Sequence, residues 1–314
     1  MRVSLIALLS LWLGVANAAS PELTAAIENV RSACGGISAE LADMKKMAGI
    51  TTAVTGVGTI VGGVAVGTGI AKSGVEKEIE KLETEIAELI KLRGDTPVEK
   101  LDIENKEAFN QSLDDFVRTY SAELQKKTDE LSAAEQKSKQ LGNVRTGTLA
   151  TATATNIAGA VMSGTNKIKG DLKQQIDECL ASVQTLSNAR MQARIEGSAT
   201  DSELSQAEKI VSACDAWTTV DITQINNRSR GATISSSIGA ATGLAGTIAS
   251  ASVNSDEVHN GDGQQREKNL NTAANALAGG TTVASATATI FNATQINAIK
   301  RAATVADECE GALK

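Results

Sequence analysis

The chain has few of the side chains that usually build a protein core. Aromatic residues make up only 2% of its 314 residues, and it contains two prolines and one histidine. Alanine, glycine, threonine and serine are abundant instead. Helices of this composition must therefore pack through small side chains, with short distances between their axes.

The single histidine leaves little material for catalysis or metal binding. His259 lies among Asp256, Glu257 and Asp262, but the pattern of a calcium-binding EF-hand fails because Val258 stands where an oxygen ligand is needed. Ser-His-Asp triads, Cys-His pairs and zinc hydrolase sites all require more histidines or free cysteines than this chain offers. We interpret the segment as a solvated loop, and we expect no enzyme activity, no catalytic residue, no metal site and no cofactor.

Acidic residues outnumber basic ones, 37 to 30. The formal net charge is −7 and the isoelectric point is about 5.0. Nucleic acids and anionic membrane surfaces attract basic faces, and no long basic cluster occurs in this sequence. We therefore expect no nucleic-acid partner.

The N-terminal residues are typical of a secretory signal peptide. Met1-Arg2 is followed by the short apolar run 3–15 and by Ala16-Asn17-Ala18, which fits an A-x-A cleavage site. A membrane anchor fits less well, because a transmembrane helix needs roughly 20 apolar residues. The sequence predicts export to the periplasm or the cell exterior, with cleavage after Ala18.

The four cysteines favour disulfides over metal or redox chemistry. Exported proteins meet an oxidising environment, and none of these cysteines forms a C-x-x-C pair. The four are Cys34, Cys179, Cys214 and Cys309.

Helix boundaries can be placed from capping residues. Ser20-Pro21 and Thr96-Pro97 each offer an N-cap followed by proline at the first helical position. Thr200-Asp201-Ser202-Glu203 matches a capping box, and Gly94 and Gly197 fit helix stops. We expect breaks near 94–96 and 197–200, and a third turn at 254–263.

Residues 74–145 have the pattern of a coiled-coil arm. Apolar residues on its first helix recur at alternating intervals of four and three residues, at Val75, Ile79, Leu82, Ile86 and Leu89. A second helix continues the apolar pattern after the turn, with Phe109, Leu113, Phe116, Tyr120, Leu124 and Leu131. The two helices are expected to form an antiparallel hairpin.

Four long stretches carry no charge: 47–71, 146–166, 231–255 and 269–299. Glycines in two of them recur every fourth residue, which places small residues on one helix face and lets another backbone approach. These candidate helix-packing glycines are Gly58, Gly62, Gly63, Gly67, Gly239 and Gly243. Strands compete as an alternative because threonine and valine are frequent, but charged helical flanks and few turn signals favour helix.

The chain also resembles itself. Ser-Ala-Cys at 32–34 recurs at 212–214, and Asp-Glu-Cys at 177–179 recurs at 307–309. We expect an all-α fold of elongated antiparallel helical hairpins, packed through Ala, Gly and Thr and internally duplicated. The predicted boundaries are 1–18 for the signal peptide, 19–198 for the first hairpin with its arm, and 199–314 for the second hairpin.

The duplicated layout predicts the disulfide pairing. Counting residues along the helices at about 1.5 Å each places the two cysteines of each half at similar heights. The expected pairs are Cys34–Cys179 and Cys214–Cys309, and pairing between the halves remains an alternative.

These features favour a non-enzymatic exported scaffold or protein-interaction module, with a protein partner or self-association. A membrane-inserting or pore-forming protein is the alternative, since the charge-free stretches are long enough to span a bilayer. Only 47–71 is apolar enough to be a credible span, because the other three stretches are rich in Thr, Ser and Asn.

Overall fold

A computed structural model describes residues 20–95, 106–253 and 263–314, and these residues form helices and connecting turns without any strand. The all-α prediction is therefore confirmed. The predicted signal peptide, residues 96–105 of the predicted arm, and residues 254–262, which include His259, lie outside the described residues.

Seven α-helices are present in the described part of the chain. Their bounds are α1 Pro21–Cys34, α2 Ile37–Asp95, α3 Lys106–Thr165, α4 Gly170–Glu196, α5 Asp201–Cys214, α6 Ile222–Val253 and α7 Gly263–Ala312. A short 3₁₀ helix, Asp215–Thr219, separates α5 from α6.

Two of the predicted caps are confirmed. The Ser20 hydroxyl accepts a hydrogen bond from the Leu23 backbone N–H, with Pro21 at the first helical position. Thr200 and Glu203 form the complete capping box at the start of α5. Gly197 ends α4 in the left-handed conformation, with φ of 64°.

One sharp break is not among those predicted. The chain turns between α1 and α2 at Gly35-Gly36, where Gly36 has φ of 89°. This conformation is costly for residues with a Cβ atom, which explains a glycine at this position.

The chain divides into two compact units, and each draws on both halves of the sequence. Unit 1 comprises the residues up to Thr55, together with Ala158–Ser236 and Thr287–Lys314. Unit 2 comprises Gly56–Ile157 and Ser237–Ala286. The long helices α2, α3, α6 and α7 contribute residues to both units.

Unit 1 contains a conventional apolar core. Leu, Ile and Val side chains from α1, α2, α4, α5, α6 and α7 are buried together with Trp217. The Arg31 guanidinium donates to the carbonyl oxygen of Leu313, and the Glu310 carboxylate accepts from the backbone N–H groups of Gly36 and Ser38. These bonds fasten the end of α7 to the turn between α1 and α2.

Unit 2 contains the predicted arm and a bundle segment. In the arm, Val75 and Leu82 are buried against Ala134, with Ile79 and Leu131 packed beside them. Val75, Ile79 and Leu82 thus pack at the predicted heptad spacing, and the next two predicted seam residues, Ile86 and Leu89, are half-buried. The side chains of Phe109, Leu113 and Phe116 lie outside the described residues.

The helices of the bundle keep a coiled-coil period over most of their length. Buried positions on α6 alternate by four and three residues from Ile225 to Val253, and those on α7 alternate by three and four from Asn271 to Cys309. This spacing keeps one face of each helix turned inward. Small or polar residues occupy most of these inward positions in unit 2.

Candidate functional site

The interior of unit 2 is built around glycines that allow close contact between helices. A Cβ atom added at Gly58 would lie 2.8 Å from Oγ1 of Thr155, and one at Gly62 would lie 2.7 Å from Oγ1 of Thr282. Each added atom would force its neighbour to move, since real Cβ atoms essentially never come this close. These two glycines therefore line tight contacts of α2 with α3 and α7.

The two predicted glycines of α6 lie at equally tight contacts. A Cβ at Gly239 would lie 2.8 Å from the Asn156 amide nitrogen, and one at Gly243 would lie 2.4 Å from Oγ1 of Thr153. Four of the six predicted packing glycines are thus brought into the interior of unit 2.

Gly63 and Gly67 lie elsewhere. Both are exposed, and a Cβ atom at either position would meet nothing within 4 Å. The four-residue spacing is the same as between Gly58 and Gly62, but these two glycines occupy the outer face of α2. Spacing alone cannot separate the two faces.

The interior of unit 2 is polar as well as small. The Asn156 amide donates to the Ser285 hydroxyl at 2.8 Å, and Thr281 and Thr242 hydroxyls lie 3.1 Å apart. Among the described residues in the charge-free stretches of the unit, Leu149 and Val253 are the only buried apolar side chains larger than alanine. Side-chain hydrogen bonds and close backbone approach therefore replace the aliphatic core found in unit 1.

The outer face of the same helices is apolar. Ile60 is 71% exposed, Ile70 67% and Val283 67%. The large apolar side chains exposed here come from all four helices, namely Val57, Ile60, Val64, Ile70, Val144, Ile157, Ile238, Leu244, Ile248 and Val283. Among the exposed residues of the charge-free stretches of unit 2, the polar ones are Thr151, Ser237, Asn269 and Thr272.

No protein-family model, curated protein or solved structure matches this chain. The function must therefore be argued from the geometry of the molecule itself.

A buried arginine joins the four helices at one end of the charge-free stretches. Arg145, from α3, is fully buried. Its Nε donates to Ser250 on α6 at 2.9 Å, and its Nη atoms donate to Asn271 at 2.9 Å and Asn275 at 3.1 Å on α7. Gly69 on α2 makes room for this network, because a Cβ there would lie 2.1 Å from Oδ1 of Asn275.

Carboxylates balance the positive charge of this layer. Asn271 donates to the Glu76 carboxylate at 2.6 Å, and Lys72, also buried, lies 2.7 Å from the same carboxylate oxygen. Glu267 lies 3.9 Å from the Lys72 ammonium. Burial lowers the pKa of the Arg145 guanidinium, and the negative charge of Glu76 opposes that shift. We refer to Arg145, Lys72, Glu76, Asn271 and their partners as the Arg145 layer.

The disulfides join Cys34 to Cys179 and Cys214 to Cys309, the pairs that the sequence predicts. All four cysteines belong to unit 1 and are buried. Although the Sγ atoms of Cys34, Cys179 and Cys309 lie within 4.8 Å of one another, each is committed to a disulfide and is not a thiolate ligand for a metal.

The Arg145 layer is the feature that sequence reasoning missed. A signal was present, because Arg145 immediately precedes the charge-free stretch 146–166 and Lys72 immediately follows 47–71. A charge at the boundary of such a stretch can face water as well as the interior. Only the structure shows that these two charges face inward.

Proposed function

We propose that the protein is an exported, non-enzymatic helical bundle that inserts its charge-free segments into a lipid bilayer. The observation that carries the proposal is the inverted polarity of the charge-free stretches of unit 2, where amide and hydroxyl groups lie inside and most of the isoleucine, valine and leucine side chains lie outside. In water this arrangement exposes apolar surface, whereas in hydrocarbon it is favourable.

The distribution of the apolar surface favours lipid over a protein partner. A docked protein covers one side of a bundle, but the exposed apolar residues of unit 2 come from α2, α3, α6 and α7 alike. Each of these helices carries a charge-free stretch of about 20 residues or more, the length that crosses a hydrocarbon core of about 30 Å.

The threonine content of these stretches is compatible with lipid contact. The hydroxyls of Thr68, Thr148 and Thr151 donate to carbonyl oxygens one turn earlier on their own helices, at 2.9–3.0 Å. A hydroxyl bonded in this way needs no water, which removes much of the cost of placing it in a membrane.

The best single span is in α2. Among the described residues, one helical segment, within Pro21–Lys91, contains an 18-residue window apolar enough to cross a membrane, with a mean hydropathy of 1.6. Only 28% of that window is buried, whereas the core helix of a water-soluble protein is mostly buried. The segment that best fits a span is thus also one that leaves its apolar side chains uncovered.

The decisive experiment compares one substitution at two exposed isoleucines of α2. Ile60 lies in the middle of the charge-free stretch 47–71, and Ile90 lies in the arm, 56% exposed and outside that stretch. A lysine at the centre of a transmembrane helix costs about 2.5–3.5 kcal/mol of insertion free energy. Ile60→Lys should therefore lower the fraction of protein that floats with liposomes, and Ile90→Lys should leave it unchanged.

The wild-type protein provides the first control in that experiment. It should float with liposomes and stay with membranes after carbonate extraction, and it should be released by detergent. Wild-type protein that remains in the aqueous fraction throughout would overturn the proposal.

A water-soluble scaffold is the second candidate, and the coiled-coil arm favours it. The arm has an apolar seam and an ion pair between helices, with the Lys127 ammonium 2.8 Å from the Glu85 carboxylate. Coiled coils are common surfaces for partner proteins or for self-association. Quantitative recovery of a defined oligomer without detergent would support this candidate.

Export and internal duplication complete the proposal. Two disulfides indicate an oxidising compartment, in agreement with the signal-peptide pattern of residues 1–18. Support for duplication comes from α3 and α7, which precede or contain the repeated Asp-Glu-Cys segments. The hydrogen-bonded pairs Asn156–Ser285 and Ser163–Asn292 are each 129 residues apart, one fewer than the 130 residues between the two Asp-Glu-Cys segments. Detection of the cleaved mature chain outside the cytoplasm would test export directly.

A further inference from the structure

The two disulfides of unit 1 lie next to each other. Sγ of Cys309, in the second half of the chain, lies within 4.8 Å of both sulfurs of the Cys34–Cys179 bridge. Its bonded partner, Cys214, is not part of that close group. Exchange between thiols and disulfides requires a thiolate to reach a disulfide sulfur. A small movement of side chains would bring Cys309 to that position.

We propose that the two bridges form one exchange unit, in which Cys309 transfers its bond from Cys214 to Cys34 or Cys179. A small thiol of the glutathione class first reduces the Cys214–Cys309 bridge. One thiol molecule attacks the bridge and forms a mixed disulfide with one of the two cysteines, and a second thiol molecule displaces that cysteine; the two molecules leave as one disulfide, and Cys214 and Cys309 each take up a proton as thiols.

The second step consumes no further reductant. The Cys309 thiolate attacks one sulfur of the Cys34–Cys179 bridge, and a new S–S bond forms as the old one breaks. The electron pair leaves with the displaced sulfur, which takes up a proton. The number of disulfides stays the same in this step, but the bond now links the two halves of the chain.

The burial of the cysteines limits the rate of the first step, the reduction of the Cys214–Cys309 bridge. All four cysteines are at most 1% exposed, so an external thiol reaches them only after local opening. Cys309 lies three residues before the end of α7, where the Arg31–Leu313 and Glu310–Gly36 hydrogen bonds hold the helix. Helix ends open more readily than helix centres, so these contacts limit access to Cys309. The exchange does not depend on membrane insertion.

Two single substitutions in the full-length chain test the exchange. Cys214→Ser leaves Cys309 as the one unpaired cysteine beside the first bridge. Non-reducing peptide mapping should then find Cys309 bonded to Cys34 or to Cys179 in part of the molecules, with the displaced cysteine alkylated. In the matched variant Cys309→Ser the remaining thiol is Cys214, and the Cys34–Cys179 bridge should stay intact in all molecules.

The outcomes of this pair are distinct. If the folded Cys214→Ser protein keeps the Cys34–Cys179 bridge and a free Cys309 thiol after prolonged incubation, the proposal is overturned. Circular dichroism establishes whether each variant is folded.

The wild-type chain gives an independent test if Cys214→Ser does not fold. Incubation with a mixture of reduced and oxidised glutathione, followed by alkylation and mapping, should reveal peptides that join Cys309 to the first half together with alkylated Cys214. Recovery of only native or fully reduced pairs would also overturn the proposal.

Discussion

Unit 1 and unit 2 use segments of the same four long helices, yet their interiors differ in kind. Unit 1 buries leucine, isoleucine and valine around two disulfides. In its charge-free stretches, unit 2 buries glycine, alanine and hydrogen-bonded polar groups, and leaves its isoleucines outside. Each buried aliphatic side chain contributes about 1.5–3 kcal/mol through removal from water, a source of stability that unit 2 largely lacks.

The difference shows that one helical period can accommodate two kinds of interior. Buried positions recur every three and four residues in both units, so the helices pack in the same manner. What changes is which residue types stand at the inward positions. A core of small and polar groups with an apolar exterior suits lipid, whereas a core of aliphatic groups suits water.

The largest effect is expected from removing a disulfide of unit 1. Cys34→Ala combined with Cys179→Ala opens a bridge with a sequence separation of 145 residues. Loss of such a crosslink lowers the free energy of unfolding by up to about 5 kcal/mol in the chain-entropy model. Removing the Cys214–Cys309 bridge, with a separation of 95, should cost about 0.4 kcal/mol less.

Amide hydrogen exchange would show where that loss falls. Protection should decrease in unit 1, whose core surrounds the bridges, while the Arg145 layer of unit 2 keeps its slow amides. An equal loss of protection in both units would contradict the comparison, because it would mean that they unfold as one.

In unit 2 the largest effect should come from the Arg145 layer. Arg145→Met keeps a long side chain but removes the donors to Ser250, Asn271 and Asn275. Unpaired buried acceptors cost about 1–3 kcal/mol each. The free energy of unfolding should therefore fall by about 3 kcal/mol, and the melting temperature should fall with it. Arg118→Met is the matched control on the same helix, since the Arg118 side chain is 85% exposed. Equal melting temperatures for the two variants would show that the layer contributes little.

Several parts of this comparison were visible in the sequence. The repeated Ser-Ala-Cys and Asp-Glu-Cys segments predicted both disulfides, and the heptad seam predicted the packing of Val75 and Leu82. These signals are readable because exported cysteines pair as disulfides, and because charged residues flank the apolar seam of the arm and so identify its buried side.

The faces of the charge-free stretches were harder to assign. Glycine, alanine and threonine fit either side of a helix, so composition gave no direction for Gly62 or Gly63. Inward-facing Arg145 could not be expected from residue type, because charged groups are buried only when partners are arranged around them. Those partners come from α6 and α7, more than 100 residues away. A sequence pattern limited to neighbouring residues cannot contain that information.

Adjacent glycines of α2 give a sharper test of which face is inside. Gly62→Ala and Gly63→Ala add the same methyl group and gain the same helix propensity, up to about 1 kcal/mol relative to glycine. Thr282 blocks the new methyl at position 62, where its Cα lies 3.3 Å from the added atom, and position 63 is open. Overpacking typically costs about 1–3 kcal/mol, so it should exceed the gain at Gly62.

Thermal melting of the two variants should therefore move in opposite directions. Gly63→Ala should raise the melting temperature and Gly62→Ala should lower it, each relative to wild type. A rise for both would mean that the contact with Thr282 relaxes at no cost, and a fall for both would place Gly63 in a contact as well.

The smallest effect is expected from the exposed ion pair of the arm. The hydrogen bond from Lys127 lowers the pKa of Glu85, and the same bond raises the pKa of Lys127. A lowered carboxyl pKa stabilises the fold above the unfolded-state value, about 4.3, and this contribution is lost as the pH falls through the lower folded-state value. The contribution of Lys127 is present below its ordinary value, about 10.4, and is lost as the pH rises through the higher folded-state value.

Lys127→Ala should therefore lower the melting temperature of the protein slightly at pH 7, and this effect should disappear as the pH falls through the folded-state pKa of Glu85. Lys126→Ala is the matched control, because the side chain of this neighbouring lysine is 72% exposed and its ammonium lies 4.0 Å from the Glu130 carboxylate. High salt should reduce the difference between the two variants, since exposed ion pairs are screened. A difference that persists unchanged below the folded-state pKa of Glu85 or in 1 M salt would instead assign the effect to packing of the Lys127 aliphatic chain along the arm.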